Sequence, residues 1–336
     1  MMNKRISLMA AAAMCAASLL AGSAIKAPAF LKPGDKIAII TPASAIDTAQ
    51  VDTGYNVLKR WGFNPVKGKY ALERLSTGFA GTIEQRKADL LWALRDPSVK
   101  AILCSRGGYG SVHLLCEIPL EEFAKHPKWI IGYSDITALH SAQVRAGNMS
   151  IHANMAGPLG YGGGNDTTCR ALHNLLLGKM PSYRIPAHKY NHAGTARGIL
   201  VGGNMSVYGG LAESDYDFLT RDFLKSHDVV LFIEDVGERY DSVDRMLHLL
   251  KIRGVLSHIK GLIVGKFTEY NAVKGYDDMY DMIHRYIADL DIPVCYDFPA
   301  GHIGHQNFPM IEGCPVTLNV AADGVTLNFD ISGKQK

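Results

Sequence analysis

The stretch WIIGYSDITALH, from Trp129 to His140, decides how the chain is read. Trp129, Ile130 and Ile131 read as a buried strand, Gly132 to Asp135 turns the chain, and a helical pattern follows from Asp135 to Ala146. A strand that empties through a short turn into a helix is the unit of a parallel sheet covered on both faces, so an α/β architecture is expected. The corner leaves Ser134 two roles. As a helix N-cap, it or Asp135 would accept a hydrogen bond from an amide of the first turn. As a nucleophile, Ser134 would stand at the carboxyl end of a strand, where open parallel sheets place their sites, with Gly132 easing the turn. Ile136 stands where the G-x-S-x-G elbow has its second glycine, and taken alone the motif favours the cap.

The same rhythm extends in both directions. Upstream, KIAIITPAS after the Pro33-Gly34 turn predicts a strand, and Asp47 opens a helix with Val51, Tyr55, Leu58 and Trp61 on its apolar face, ended by Gly62. Thr82 and Gln85 stand at capping-box spacing at the start of TIEQRKADLLWALRDP. A strand at KAILCS, a glycine loop at RGGYG and a helix from Ser111 lead to the Trp129 strand. Downstream, GPLGYGGGNDTT (Gly157 to Thr168) and PSYRIPAHKYNHAG break the pattern. The chain is therefore expected to divide into an N-terminal α/β domain at 28–160, a crossing at 161–190 and a second domain at 191–336. In the latter, GILVGG, DVVLFIED, KGLIVGKF and PVCYDFPAG predict strands, and VTLNVAADGVTLNFDI predicts a hairpin around Asp323-Gly324.

A length of 336 residues suits two cores better than one. Hydrophobic content of 47% and charged content of 20% describe a globular chain. The formal charge of +3 includes Lys4 and Arg5, which open a basic, then apolar, then small-residue leader that reads as a signal peptide over residues 1–27. Cleavage near Ala21, Ala24 or Ala27 would leave a nearly neutral, exported, periplasmic protein with no stable membrane insertion and no basic field for nucleic acid. Cys104, Cys116, Cys169, Cys295 and Cys314 lie beyond the leader, far apart, and read as buried thiols rather than as a disulfide framework or a zinc site.

A serine nucleophile needs a base, and the base needs an orienting acceptor. Glu234 ends the apolar run VVLFIE and is the candidate carboxylate; a loop carboxylate bound to backbone amides is the other reading. His302 in FPAGHIGHQNFP follows a strand and is flanked by glycine, with His305 as its rival. No further ligand stands at metal spacing, and no metal is expected. The segment CSRGGYGS, residues 104–111, fails the dinucleotide fingerprint because His113 fills the third glycine position. Its glycines suit an oxyanion hole or a phosphate, or form a plain turn.

Together, SRGGYGS, IIGYSDIT, GGNMSVYGG, FIEDVGERYDSVDRML and FPAGHIGHQN resemble in order and spacing the signatures of the LD-carboxypeptidases, a family of serine peptidases that includes the microcin-immunity hydrolases. The resemblance covers about residues 32–331. It implies a flavodoxin-like or class I amidotransferase-like parallel-sheet domain, a swivelling β/β/α C-terminal domain and a site between them. By position it implies Ser134 as nucleophile, Glu234 as triad carboxylate and His302 as general base. The implied oxyanion hole is the amide of Asp135 with that of Gly107 or Gly108, and Asn204 is implied to lie near the site and hold peptide backbone. Arg106, beside the glycine loop, is the candidate for a substrate carboxylate. The implied reaction is hydrolysis of the L,D bond before the terminal D-alanine of murein tetrapeptides, with no cofactor, and the family points to a homodimer. Two other readings stand beside it: hydrolysis of aminoacyl-nucleotides, as in the immunity type, and an exported muropeptide-binding protein without catalysis. A nucleotide site needs a flat surface for base stacking, and the resemblance to the immunity type implies an aromatic residue, notably tryptophan, from a loop of the second domain. Trp61, Trp92 and Trp129 all fall in the first, which leaves tyrosines such as Tyr208 or Tyr240.

Overall fold

Four consecutive residues with no exposed surface, Ile37 to Ile40, form most of strand β1 (Lys36–Ile40), an interior strand of the first sheet. In this computed structural model residues 25–331 are described; most of the leader, including the expected cleavage points at Ala21 and Ala24, lies outside them, as does the His305 side chain. Strand β1 runs parallel to β2 (Asn64–Lys67) and β3 (Val99–Cys104), and β4 (Trp129–Gly132) and β5 (Ser150–His152) continue the sheet beyond β3. The order 2-1-3-4-5 is that of flavodoxin-like sheets, and the winding reverses between β1 and β3. Alternation along β1 sends Ile37 and Ile39 to one face, with Val51 and Leu58 of helix Thr48–Arg60. Ala38 and Ile40 face the other side, with Leu90 of helix Ile83–Arg95 and Leu139 of helix Thr137–Arg145. Thr82 and Gln85 make both bonds of the expected capping box. Asp47 precedes its helix as expected, but its carboxylate pairs with Arg74 instead of capping.

The second sheet contains β6 (Ser182–Ile185), β7 (Gly194–Asn204), β8 (Val229–Val236), β9 (Gly261–Thr268) and β10 (Val294–Cys295). After β11 (Met310–Glu312), the hairpin of β12 (Pro315–Ala321) and β13 (Gly324–Phe329) closes it, with Ala321 opposite Gly324 as the Asp323-Gly324 turn requires. The order is 10-9-8-7-12-13-6, parallel from β7 to β10 and antiparallel elsewhere.

Two strands depart from the sequence expectation. Strand β6, within the expected crossing, is an edge of the second sheet, and β11, within the expected second domain, belongs to the first sheet, antiparallel to β5. Three residues between Pro309 and Gly313 are too few to show a period, so nothing local announces β11. One hydrophobic cluster draws Ile151 and Met310 from the first sheet together with Phe232 and Ile263 from the second, so the sheets share a core. Among the described residues, no helix is long and apolar enough to cross a membrane. Cys104, Cys169, Cys295 and Cys314 are buried free thiols; Cys116 is exposed, because the helix Ser111–Leu115 ends just before it.

Candidate active site

At the end of β4 the chain turns too tightly for a side chain on Gly132, whose Cβ would lie 2.8 Å from Ile136 Cγ1. Ser134 follows at φ +66°, in the left-handed region that non-glycine residues rarely adopt. Such a conformation costs on the order of 1–3 kcal/mol and persists where the surrounding structure enforces it. The Ser134 hydroxyl caps neither the short turn Ser134–Ile136 nor the helix Thr137–Arg145 that follows. Asp135 caps a different helix: its carboxylate accepts from Ser111 N at 2.7 Å and so ties the serine turn to the far end of the glycine loop.

That loop lies against the serine. A Cβ on Gly107 would stand 3.0 Å from Ser134 Cβ and 3.2 Å from its Oγ. Gly108 has φ +91°, and a Cβ there would meet Ser44 Oγ at 2.3 Å. Ser44 locks the loop from the β1 side: its amide donates to Gly107 O at 3.1 Å, and its hydroxyl accepts from Tyr109 N at 3.1 Å. The loops after β1 and β3 thus meet at the switch point of the sheet. The amides of Gly107 and Gly108 make no hydrogen bond among the described residues. Asp135 belongs to the first turn of its helical segment, where amides lack an intrahelical partner.

The second sheet supplies the other two groups. Glu234, fully buried in β8, accepts from His302 Nδ1 at 2.7 Å. Gly301, at φ +123°, allows this approach, since a Cβ there would come within 2.8 Å of Glu234 Oε2. Burial opposes the charge on Glu234, but the imidazoles of His302 and His152 outweigh it and hold the carboxyl below the usual range. Burial likewise disfavours the imidazolium of His302; the Glu234 carboxylate overcomes this and raises its pKa above the ordinary 6.5. With Nδ1 engaged, Nε2 is the ring nitrogen that makes no hydrogen bond among the described residues. The His302 ring centroid lies 5.0 Å from that of Tyr133, the neighbour of Ser134. Three bonds dock the helix after Ser134 onto the second domain: Asn204 N to Thr137 Oγ1 at 3.0 Å, Ser141 Oγ to Tyr216 O at 2.5 Å and Arg145 Nε to Asp215 O at 2.9 Å.

The remaining candidates are placed as follows. Arg106 is exposed beside the loop, with Nη1 donating to Ala45 O at 2.8 Å. Asn204, expected to hold peptide backbone, is buried and spends its side chain internally. Its Oδ1 accepts from Val207 N at 3.2 Å as a helix cap, and its Nδ2 donates to Asp235 Oδ1 at 2.9 Å. Asn before a helix is itself a cap signature, and the structure follows it. Tyr208 and Tyr240 are buried, and Trp61 stacks on His173. Among the described residues, no three metal-ligating side chains cluster. Sequence reasoning overlooked His152, which ends β5 directly opposite Gly132 and places Nε2 3.8 Å from Glu234 Oε1. The rule that sites gather at strand ends marks this position too, but no neighbouring motif drew attention to it.

A flavodoxin-ordered sheet joined to a second mixed sheet, with polar side chains from both converging at the seam, defines a two-domain α/β protein with an interdomain site. The chain belongs to the LD-carboxypeptidase family: the N-terminal domain of that family matches residues 37–153, and its C-terminal domain matches residues 197–318. It is 29% identical to the murein tetrapeptide carboxypeptidase of Pseudomonas aeruginosa, over 81% of this chain and 89% of that protein. The microcin self-immunity protein MccF of Escherichia coli is 25% identical, over 90% of this chain and 94% of its own. Among solved structures, the muramoyltetrapeptide carboxypeptidase of Oxalobacter formigenes superimposes with a TM-score of 0.77 at 26% identity, covering 88% of this chain and 98% of that one.

Proposed function

We propose that the protein is an exported serine LD-carboxypeptidase that releases the terminal D-alanine of murein tetrapeptides. The observation that carries this reading is the 2.7 Å pair of His302 and Glu234, set at the seam beside the strained Ser134 turn. Ser134 Oγ attacks the carbonyl of the L,D bond while His302 Nε2 takes its proton. The tetrahedral oxyanion faces the amide of Asp135 and that of Gly107 or Gly108. His302 then gives the proton to the leaving amine of D-alanine, and an acyl group remains on Ser134. Water, activated by the same imidazole, hydrolyses that ester and restores the serine. Glu234 holds the ring in the tautomer with hydrogen on Nδ1 and stabilises the imidazolium. Arg106, exposed beside the glycine loop, is the proposed partner of the free carboxylate of the substrate.

The test is D-alanine release from a synthetic murein tetrapeptide by the mature chain, with Ser134→Ala as control and an acyl-adenylate analogue assayed in parallel. The expected specificity constant is much higher for the tetrapeptide, because Tyr208 and Tyr240 are buried and unable to stack on a base. Preference for the adenylate would move the protein to the immunity type. Tight tetrapeptide binding without release would make it a binding protein. Amino-terminal sequencing of the extracytoplasmic protein should show a start between Gly22 and Pro28, and an intact Met1 in the cytosol would contradict export.

A further inference from the structure

Glu234 has two carboxylate oxygens, and His302 accounts for only one. The other, Oε1, is buried without a hydrogen-bond partner. His152 faces it with Nε2 at 3.8 Å, too long for a hydrogen bond, and both His152 ring nitrogens are likewise buried and unpartnered. A buried anionic oxygen and a buried imidazole, each unsatisfied and facing the other, are costly apart and favourable once joined. The placement is built into the sheet: β5 sets His152 opposite Gly132 on one side and Met310 of β11 on the other. The ring is held edge-on against Phe232 at 5.2 Å and Tyr133 at 5.8 Å. His140, the neighbouring histidine, is already committed to Ser150 Oγ at 2.6 Å and Gly132 O at 2.9 Å.

We propose that His152 is a positioning residue whose Nε2–H donates to Glu234 Oε1, clamping the carboxylate between two imidazoles so that Oε2 stays aimed at His302. This rests on reading Ser134, His302 and Glu234 as the catalytic triad. No proton leaves His152 in the reaction; it keeps one tautomer, with hydrogen on Nε2. Around the clamp, Asp235 and Tyr133 also face Glu234, His140 faces His152, and Asp235 and Glu269 act on His302. Without the donor, Glu234 becomes more basic, and the His302–Glu234 pair retains its proton to higher pH. Fewer molecules then carry the neutral imidazole that must accept the serine proton.

Two substitutions and one spectrum test this. His152→Phe keeps the ring volume without the donor, and His152→Gln returns an amide N–H near the place of Nε2. On the tetrapeptide, the Phe variant should lose roughly tenfold to a hundredfold in kcat, the value of a hydrogen bond to a charged group, with KM little changed. Its acid limb of kcat/KM should move to higher pH, and the Gln variant should recover most of both. Nitrogen NMR of the unliganded parental protein should show His152 protonated at Nε2 and should report the titration of His302 without any substrate. A His152 protonated at Nδ1, or equal losses in the Phe and Gln variants with an unmoved limb, would reduce the residue to packing. If the parental chain releases no D-alanine while the NMR behaviour is as expected, the substrate reading fails and the clamp stands.

Discussion

Ser134 sits at φ +66°, between a glycine that cannot grow and a loop that lies against its hydroxyl. Ser134→Ala, Glu234→Ala and His302→Ala should each fold and lose on the order of a thousandfold or more in kcat on the tetrapeptide, with the serine and histidine losses comparable because a triad acts as a unit. Progress curves on purified variants with parental melting temperatures check this. With His302 as the proposed base, turnover requires its neutral form, and Glu234 raises its pKa above 6.5, so kcat/KM should fall on the acid side through a value above 6.5. Glu234→Gln should move that limb to lower pH while reducing the plateau, as a pH–rate profile will show. At this scale Ser134 and Glu234 were legible as positions near the ends of β4 and β8, which apolar runs announce, whereas His302, paired with Glu234, sits in the loop seven residues past the end of β10. The partner of Asp135 was not legible, because spacing marks a residue able to cap but not which helix it will reach across space to cap.

Among the elements, the glycine loop at 107–110 carries the most information per residue. Gly107→Ala puts a methyl group 3.2 Å from Ser134 Oγ, the proposed nucleophile, so it should depress kcat well beyond any change in melting temperature. Gly108→Ala meets both a positive φ and Ser44 Oγ, so it should destabilise the protein by about 1–3 kcal/mol in denaturant titration. The opposite ranking of the two variants, in activity and in stability, would refute these assignments. Elements with a strong local signature were legible: the Thr82 capping box and the Asp323-Gly324 hairpin form as read. Strand β11 and the cap role of Asn204 were not, the first because three residues carry no period and the second because the family motif drew the eye from a plain capping signal.

Across the whole molecule, Glu312 of β11 is a buried carboxyl at the join of the two sheets, with the Gly202 amide of β7 donating to it. Burial, working against that amide, pushes its pKa up from 4.5 to about 8. Below the unfolded value both states hold the proton, and the stability is fully present. As pH rises from there through about 8 the unfolded chain ionises first, and stability declines by up to ~1.4 kcal/mol per pH unit. Glu312→Gln keeps the shape and removes the ionisation. Its melting temperature should match the parental value near pH 4.5 and exceed it at pH 8, and a parental curve that is flat across that window would contradict the assignment.

The pairing of β11 with β5 also imposes a schedule. A chain synthesised amino end first presents β5 early and its closing partner almost last, so the edge carrying Ile151 waits unpaired while the second domain emerges. Residues 28–160 expressed alone should therefore aggregate, and a chain stopped at residue 308 should be cleaved rapidly by protease where the chain through residue 331 resists. No nascent fragment combines Ser134 with a completed seam. A hydrolase aimed at the cell wall is thereby kept inert while it is being made, until its own tail returns to close the sheet it started with.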